Sequence, residues 1–253
     1  MVFLHGLMGS LSNWRRIIKE LESEFEILAY DQRGHGKSFR PPTGYAPMDY
    51  AKDLIELLDD LKWKEVFLVG HSMGGRNAIQ AAALVPHRIK KLVIEDISPR
   101  GDEKGLQKIQ FLLSQVPVPF PSREAARTYL FGPFEKEVLK GDSHAHVLAQ
   151  FFYSNIITDE TGRADWRFYK EGILESARMG REVDLWPTYE ALSMPILIIR
   201  GEHSKDLTRE EAQKMLQKQP RAQLVEVKGA GHWVHFDRPK EFIQAIADFF
   251  KSS

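Results

Sequence analysis

The chain has 253 residues, 43% of them hydrophobic, which is enough to form one complete apolar core. Lysine plus arginine and aspartate plus glutamate both number 35, so no basic excess indicates binding to nucleic acid or to an anionic membrane. The chain has no cysteine, which excludes disulfides, thiol nucleophiles and thiolate metal sites.

The first ten residues have neither the basic region nor the long apolar region of a signal peptide. No apolar run in the chain approaches the roughly 20 residues that are needed to span a bilayer. We therefore expect a cytoplasmic protein with no membrane partner. Because the formal net charge is zero, little repulsion opposes self-association, and we expect a monomer or a small homo-oligomer.

Short β-rich runs alternate with helical patterns along most of the chain. Strands are predicted at 2–4, 27–30, 66–69, 92–94, 196–199 and 224–227. Helices are predicted at 14–21, 47–61, 75–85, 209–219 and from 239 onward. Strands with two apolar faces that alternate with helices are typical of a parallel sheet covered on both sides. The sequence therefore predicts an α/β fold with about six strands flanked by helices.

Residues 98–190 interrupt this alternation, because they are helical in character, rich in aromatic residues and broken by several prolines. An interval of this length is too long for a plain crossover between two strands. We interpret 98–190 as a helical cap inserted into a core domain that is formed by 1–97 and 191–253. A set of ordinary additional helices is the alternative. We expect some of the aromatic side chains in the cap to line an apolar acyl pocket.

A Gly-x-Ser-x-Gly motif follows the predicted strand at 66–69 and precedes a predicted helix. It comprises Gly70, Ser72 and Gly74, and Gly75 follows directly. In this strand–turn–helix context the motif indicates a nucleophile elbow, where a tight turn exposes a serine hydroxyl above the sheet. The sequence thus predicts Ser72 as a nucleophile.

A serine hydroxyl needs an adjacent base, and histidine suits proton transfer near neutral pH. His232 follows the last predicted strand in a glycine-rich loop, Gly229-Ala230-Gly231. His235 is the rival three residues later. We prefer His232 as the general base, because it directly follows the small residues that leave the loop free to reach the sheet edge.

These pieces resemble the α/β-hydrolase superfamily over nearly the whole chain. The resemblance rests on four matching segments, which are His5-Gly6-Leu7, the segment 31–38, the motif at Ser72 and the loop at His232. The segments His5–Ser10, Asn13-Trp14 and Glu95–Pro99 are similar to small bacterial and mitochondrial serine esterases. The resemblance also implies two antiparallel strands before His5-Gly6. We expect these strands to be missing or truncated.

The resemblance implies a third catalytic residue, an acid that orients the histidine, and two positions compete for it. Many superfamily members place the acid after the penultimate strand, where Lys205 stands at the ungapped position and Asp206 comes one residue late. The similar esterases place it after the strand that follows the elbow, which is Asp96. We expect Asp96 to be the acid, and Asp206 is the alternative.

Acyl transfer needs hydrogen-bond donors for the developing oxyanion. The residue after the nucleophile, Met73, offers a backbone N–H, and the resemblance assigns the second donor to the N–H of Leu7. The resemblance implies that no cofactor and no metal is required, and we expect neither.

The sequence therefore predicts a serine carboxylesterase that cleaves short- to medium-chain esters through an acyl-enzyme intermediate, with a small-molecule ester as its partner. Hydrolases of carbon–carbon bonds, thioesterases and cofactor-free perhydrolases keep the same three residues and remain alternatives. A ligand-sensing receptor on a hydrolase scaffold is an alternative from another functional class.

Overall fold

A computed structural model describes residues 1–101, 103–142 and 144–251 of the chain. Residues 102 and 143 of the predicted cap, and 252 and 253 of the predicted core domain, lie outside the described residues. The strands are β1 Val2–Leu4, β2 Leu28–Ala29, β3 Val66–His71, β4 Ile89–Glu95, β5 Ile156–Thr158, β6 Ala164–Trp166, β7 Ile196–Gly201 and β8 Ala222–Val227.

Six of these strands form one parallel sheet in the order β2-β1-β3-β4-β7-β8. The α/β prediction with about six sheet strands is confirmed, and the observed strands differ from the predicted ranges by only a few residues. In a parallel sheet the carboxyl ends of all strands meet at one edge, where ligands bind in open α/β folds. Each candidate site residue follows such a strand end or, like Leu7 and His232, lies in the loop beyond it.

Helices lie between the strands, and no helix of the described ranges is long and apolar enough to cross a membrane. The α-helices are α1 Arg15–Leu21, α2 Pro47–Asp60, α3 Met73–Leu84, α4 Glu103–Gln115, α5 Arg123–Tyr129, α6 Ala145–Ser154, α7 Lys170–Glu182, α8 Trp186–Glu190, α9 Arg209–Lys218, α10 Val234–Asp237 and α11 Pro239–Lys251. Leu11–Trp14 and Pro86–Arg88 form 3-10 turns, and Leu130–Val138 forms a π-helix.

The sheet has an apolar core on each face, because successive side chains of a strand point to opposite sides. Leu68 and Leu92 belong to the core on one face, together with residues of α2 and α3. Val69 and Val93 belong to the core on the other face, with Trp14 and with residues of α1 and α11. The central strands are therefore buried on both faces, which explains why their sequences are continuous apolar runs.

The segment between β4 and β7 has an apolar core of its own, which includes Phe134 and Phe152. It holds several helices and an antiparallel hairpin, β5–β6, that the sequence did not predict. Leu7, Met8 and Trp233 pack against this core from loops at the carboxyl ends of the sheet strands. The segment therefore lies over the edge of the sheet where the candidate site residues are.

The last helix of the predicted cap, α8, packs elsewhere. Its Tyr189 is fully buried in the core of the main sheet. The Tyr189 carbonyl accepts a hydrogen bond at 3.0 Å from the side-chain amide of Gln219, which ends α9. The same amide donates to the Leu192 carbonyl at 3.1 Å, and Gln219 is buried. This glutamine thus satisfies backbone carbonyls far along the chain from the candidate catalytic residues.

We predict that Gln219→Leu lowers the free energy of unfolding by about 1–3 kcal/mol, because it leaves buried carbonyls without donors. Urea denaturation measures the change, with Gln217→Leu on the exposed face of the same helix as the matched control. We expect the control to change stability by less than about 0.5 kcal/mol. Equal stability of the Gln219 variant and the wild type would contradict this account of the contact.

Candidate active site

Ser72 occupies a strained turn between β3 and α3. Its φ of 53° and ψ of −120° are unusual for a residue with a side chain. The Ser72 N–H donates to the Glu95 carbonyl at 2.9 Å, and the Ser72 carbonyl accepts from the Gly75 N–H at 2.8 Å. These bonds hold the serine at the end of β3, in the position that the Gly-x-Ser-x-Gly motif predicts.

Two glycines allow the chain to turn this tightly. A Cβ atom on Gly70 would collide with the backbone carbonyl of Gly74. A Cβ atom on Gly74 would collide with the carbonyl of Leu4 in the neighbouring strand. Backbone atoms cannot move aside as flexible side chains do, so both positions require glycine.

Asp96 follows β4, next to the strand that carries Ser72, and it also has a φ of 53°. Its side chain is fully buried. The Oδ2 atom accepts a hydrogen bond from His232 Nδ1 at 2.8 Å and a further bond from the Ser204 hydroxyl. The Oδ1 atom accepts from the Gly201 N–H at 3.0 Å. These three donors hold a carboxylate in a fixed orientation toward the imidazole.

Asp206, the alternative acid, faces the same imidazole nitrogen from farther away. Its Oδ2 atom lies 3.6 Å from His232 Nδ1, and 55% of its side chain is exposed. The structure therefore brings both candidate acids to His232, and the hydrogen bond goes to Asp96. Because a carboxylate only accepts, His232 carries its proton on Nδ1 and leaves Nε2 available.

The surrounding carboxylates set the charge of His232. Burial lowers the pKa of its imidazole, but the negative charges of Asp206, Asp96 and Glu95 outweigh burial and raise the pKa to about 9. Burial raises the pKa of the Asp96 carboxyl, against the effect of its hydrogen bonds from His232 and Ser204. The site is thus built to stabilise a positive imidazolium beside buried acids.

His232 lies next to the serine turn. The Nε2 of His71, the residue before Ser72, donates to the His232 carbonyl at 3.0 Å, and the two rings are 4.7 Å apart. Among the residues that the structure describes, no hydrogen bond joins the Ser72 hydroxyl to the His232 ring. The structure thus places His232 against the residue that precedes Ser72, without a direct bond to the serine hydroxyl.

Two backbone N–H groups flank Ser72 and have no acceptor within the described ranges. They belong to Met73, at the start of α3, and to Leu7, in the loop after β1. Met73 and Leu7 are the residues whose N–H groups the sequence predicts as donors to an oxyanion. A helix start is a favourable place for negative charge, because its first N–H groups are unpaired.

Two buried histidines support the Leu7 loop. His5 Nε2 accepts from the Gln32 N–H at 3.0 Å, and His35 Nε2 accepts from the Met8 N–H at 3.1 Å. Burial lowers the pKa of His5 to about 4 and that of His35 to about 3, so both rings are neutral and can accept. Gln32 and His35, both in the segment 31–38, therefore help to fix the loop that carries Leu7.

An apolar cluster adjoins the two N–H groups. Tyr45, Tyr50 and Met73 are buried together, with Leu7 and Tyr169 packed against them. Of this cluster, only Tyr169 comes from 98–190, the range in which we expect aromatic side chains to line an acyl pocket. Tyr45 precedes α2 and Tyr50 lies in its first turn, and in the sequence neither differs from an ordinary core residue.

A buried polar cluster adjoins the site. Among the described residues it is the one group of three or more side chains that could together bind a metal ion. It consists of His71, Glu95 and His235, whose ligand atoms lie within 4.8 Å of one another. Glu95 accepts from the His235 N–H at 2.8 Å and from its Nδ1 at 2.9 Å, while His71 Nε2 bonds the His232 carbonyl. These atoms are already engaged with partners inside the protein. Glu95 has no role in the functional prediction from the sequence, although a carboxylate two residues after Val93, on the same buried face of the strand, was a detectable signal.

The chain is similar to known proteins over nearly its whole length. The sequence profile of the alpha/beta hydrolase fold family matches residues 1–239. The 2-(acetamidomethylene)succinate hydrolase of Mesorhizobium japonicum is 30% identical over 98% of this chain and 87% of its own length. The sn-1-specific diacylglycerol lipase ABHD11 of Mus musculus is 31% identical, over 98% of this chain and 80% of its own length. Esterase YbfF of Escherichia coli is 27% identical, over 97% of this chain and 90% of its own length.

Solved structures give the same result. The crystal structure of E-2-(acetamidomethylene)succinate hydrolase superposes with a TM-score of 0.86 and 29% identity, covering 100% of this chain and 91% of that one. A marine microorganism esterase superposes with a TM-score of 0.83 and 30% identity, covering 98% of this chain and 94% of that one. The fold, the match over nearly the whole chain and these relatives lead to one conclusion: the chain belongs to the α/β-hydrolase family and is a hydrolase related to esterases and lipases.

Proposed function

We propose that the protein is a serine carboxylesterase that hydrolyses short- to medium-chain esters through an acyl-enzyme intermediate. One observation carries the proposal. A histidine beside the serine turn donates Nδ1–H to a buried carboxylate at 2.8 Å, so in its neutral form the other nitrogen can accept a proton. Serine becomes a useful nucleophile when such a base is adjacent.

In the proposed mechanism Ser72 Oγ attacks the ester carbonyl, and His232 Nε2 takes its proton. The N–H groups of Leu7 and Met73 donate to the oxyanion of the tetrahedral intermediate. The imidazolium then protonates the leaving alcohol, and water repeats the sequence on the acyl-enzyme. Asp96 holds the imidazole in the correct tautomer and stabilises its positive charge. In serine hydrolases the bond from the serine hydroxyl to the histidine often tightens only when substrate binds.

The surroundings of the proposed oxyanion donors support an uncharged acyl group. Tyr45, Tyr50 and Tyr169 pack in one apolar cluster with Leu7 and Met73, the residues that carry these donors. We further propose that residues 98–190 form a cap that limits the volume of the acyl pocket. The relatives named as an esterase and as a lipase support an ester as the substrate.

A second candidate function uses the same residues on a different bond. The relative from Mesorhizobium japonicum is named for hydrolysis of a succinate derivative, and its structure superposes with a TM-score of 0.86. This similarity favours, as the alternative, a hydrolase of carbon–carbon or other non-ester bonds. A panel of simple esters, thioesters and diketones separates the candidates by their relative kcat/KM.

We predict that Ser72→Ala lowers the hydrolysis of p-nitrophenyl butyrate by more than about a thousandfold, because the nucleophile is lost. A fluorophosphonate probe should label Ser72 in the wild type, and peptide mass spectrometry identifies the site. Ser114→Ala, which removes an exposed hydroxyl of α4, should keep full activity. Labelling of a different serine, or activity in the Ser72 variant, would overturn the proposed function.

We predict that Asp96→Asn lowers kcat by up to about 10⁴-fold, because the amide stabilises the wrong tautomer of His232. Asp206→Asn should lower kcat by less than about tenfold, since its carboxylate lies 3.6 Å from His232 Nδ1 and makes no hydrogen bond to it. Steady-state kinetics on the same ester measures both variants. The opposite ranking would make Asp206 the catalytic acid.

The pH dependence of the wild type follows from the raised pKa of His232. The base must be neutral, so kcat/KM should rise with pH until it levels off near the His232 pKa of about 9. The Asp206 carboxylate helps to raise this pKa, so Asp206→Asn should shift the rise to lower pH. Asp60→Asn, an exposed change on α2, is the matched control and should leave the profile unmoved. A shift to higher pH in the Asp206 variant would contradict the account.

A further inference from the structure

Glu95 is a buried carboxylate at the edge of an apolar core. It is the last residue of β4 and lies two residues after Val93, so its side chain is on the face of the sheet that packs against α1 and α11. Its exposure is 0%, and that of the His235 side chain is 2%. His235 lies against the Trp14 ring, at 4.5 Å between centroids. A buried ionisable pair in such surroundings is costly, and two apolar residues of similar volume are often at least as stable.

Three hydrogen bonds connect Glu95 to His235. Its Oε1 accepts from the His235 backbone N–H at 2.8 Å, and both carboxylate oxygens lie 2.9 Å from His235 Nδ1. The carboxylate thus binds both the main chain and the ring of one residue. The position of the chain at residue 235 is therefore fixed relative to the end of β4.

The consecutive acids Glu95 and Asp96 hold two residues of one short turn. Asp96 binds the ring of His232, and Glu95 binds His235, three residues later. The Glu95 carbonyl also accepts from the Ser72 N–H at 2.9 Å. Glu95 is therefore bonded through its main chain to the proposed nucleophile, and through its side chain to the turn that carries the proposed base.

We propose that Glu95 and His235 are positioning residues, which keep the His232 turn at the correct distance from Ser72 for proton transfer. This inference rests on the proposed function, because it assigns the pair a role in delivering the general base. A misplacement of about 1 Å at a catalytic group can cost about a hundredfold in rate. The pair exerts its effect through His232 and does not touch the substrate.

The decisive variant is the double change Glu95→Leu with His235→Leu, which replaces the pair by apolar residues. We expect it to fold with a free energy of unfolding close to that of the wild type, because removal of the buried pair offsets the loss of an acceptor for the His235 backbone N–H. Its kcat should fall by about ten- to a hundredfold, with KM changed less than about twofold. The rate at which a fluorophosphonate labels Ser72 should fall in parallel, because that reaction also needs the base.

Single variants show whether the hydrogen bond between Glu95 and residue 235 is what preserves kcat. In His235→Asn the side-chain amide keeps an N–H donor near the position of Nδ1, so we expect kcat within about threefold of the wild type. His235→Leu leaves the Glu95 carboxylate buried without its partner and should lose both stability and kcat. Glu95→Gln should fold but lose at least about tenfold in kcat. The glutamine amide replaces one carboxylate oxygen by an NH₂ group, which is a donor and cannot accept from His235 Nδ1–H.

Gln219→Leu is the control for loss of stability alone, and its kcat should be unchanged after correction for the folded fraction. A double leucine variant that folds and retains the wild-type kcat and labelling rate would overturn the proposal. If the double variant does not fold, wild-type kcat in Glu95→Gln overturns it equally. Absence of ester hydrolysis and of Ser72 labelling in the wild type would instead contradict the proposed function, so the two failures are distinguishable.

Discussion

The hydrogen bond from His232 Nδ1 to Asp96 Oδ2 joins residues 136 positions apart, and the proposed chemistry depends on it. It fixes which imidazole nitrogen carries the proton and which one can take a proton from Ser72. The bond forms inside the protein, where an imidazolium is stabilised by nearby carboxylates. The resulting pair is a base of high proton affinity held beside a strained serine.

The parallel sheet makes this meeting possible. Strands β3, β4 and β7 are neighbours, so the residues that follow them lie along one edge. Ser72 and Asp96 both adopt positive φ angles directly after their strands, which turns their side chains away from the sheet direction. Strain of this kind persists only where surrounding contacts determine the conformation, as the bonds to Glu95 and Ile199 do here.

Much of the fold could be predicted from the sequence, because apolar strands and amphipathic helices have different periods. The tight turn at Ser72 was predictable because it requires glycine at positions 70 and 74. Residue patterns alone do not separate Asp96 from Asp206, since both follow strands that end at the same edge, and only the resemblance to small esterases favours Asp96. Only the register of β4 against β7 and the path of the loop decide which acid lies nearer. The Glu95–His235 contact depends on loop conformation, which periodicity does not encode.

Nuclear magnetic resonance of the imidazole N–H protons reports on the hydrogen bond between His232 and Asp96 without relying on a substrate. A histidine that donates Nδ1–H to a buried carboxylate gives a proton signal far downfield of ordinary amides, and the wild type should show one for His232. The account predicts that this signal disappears in Asp96→Asn and persists in Asp206→Asn. A signal that survives in Asp96→Asn and is lost in Asp206→Asn would contradict it.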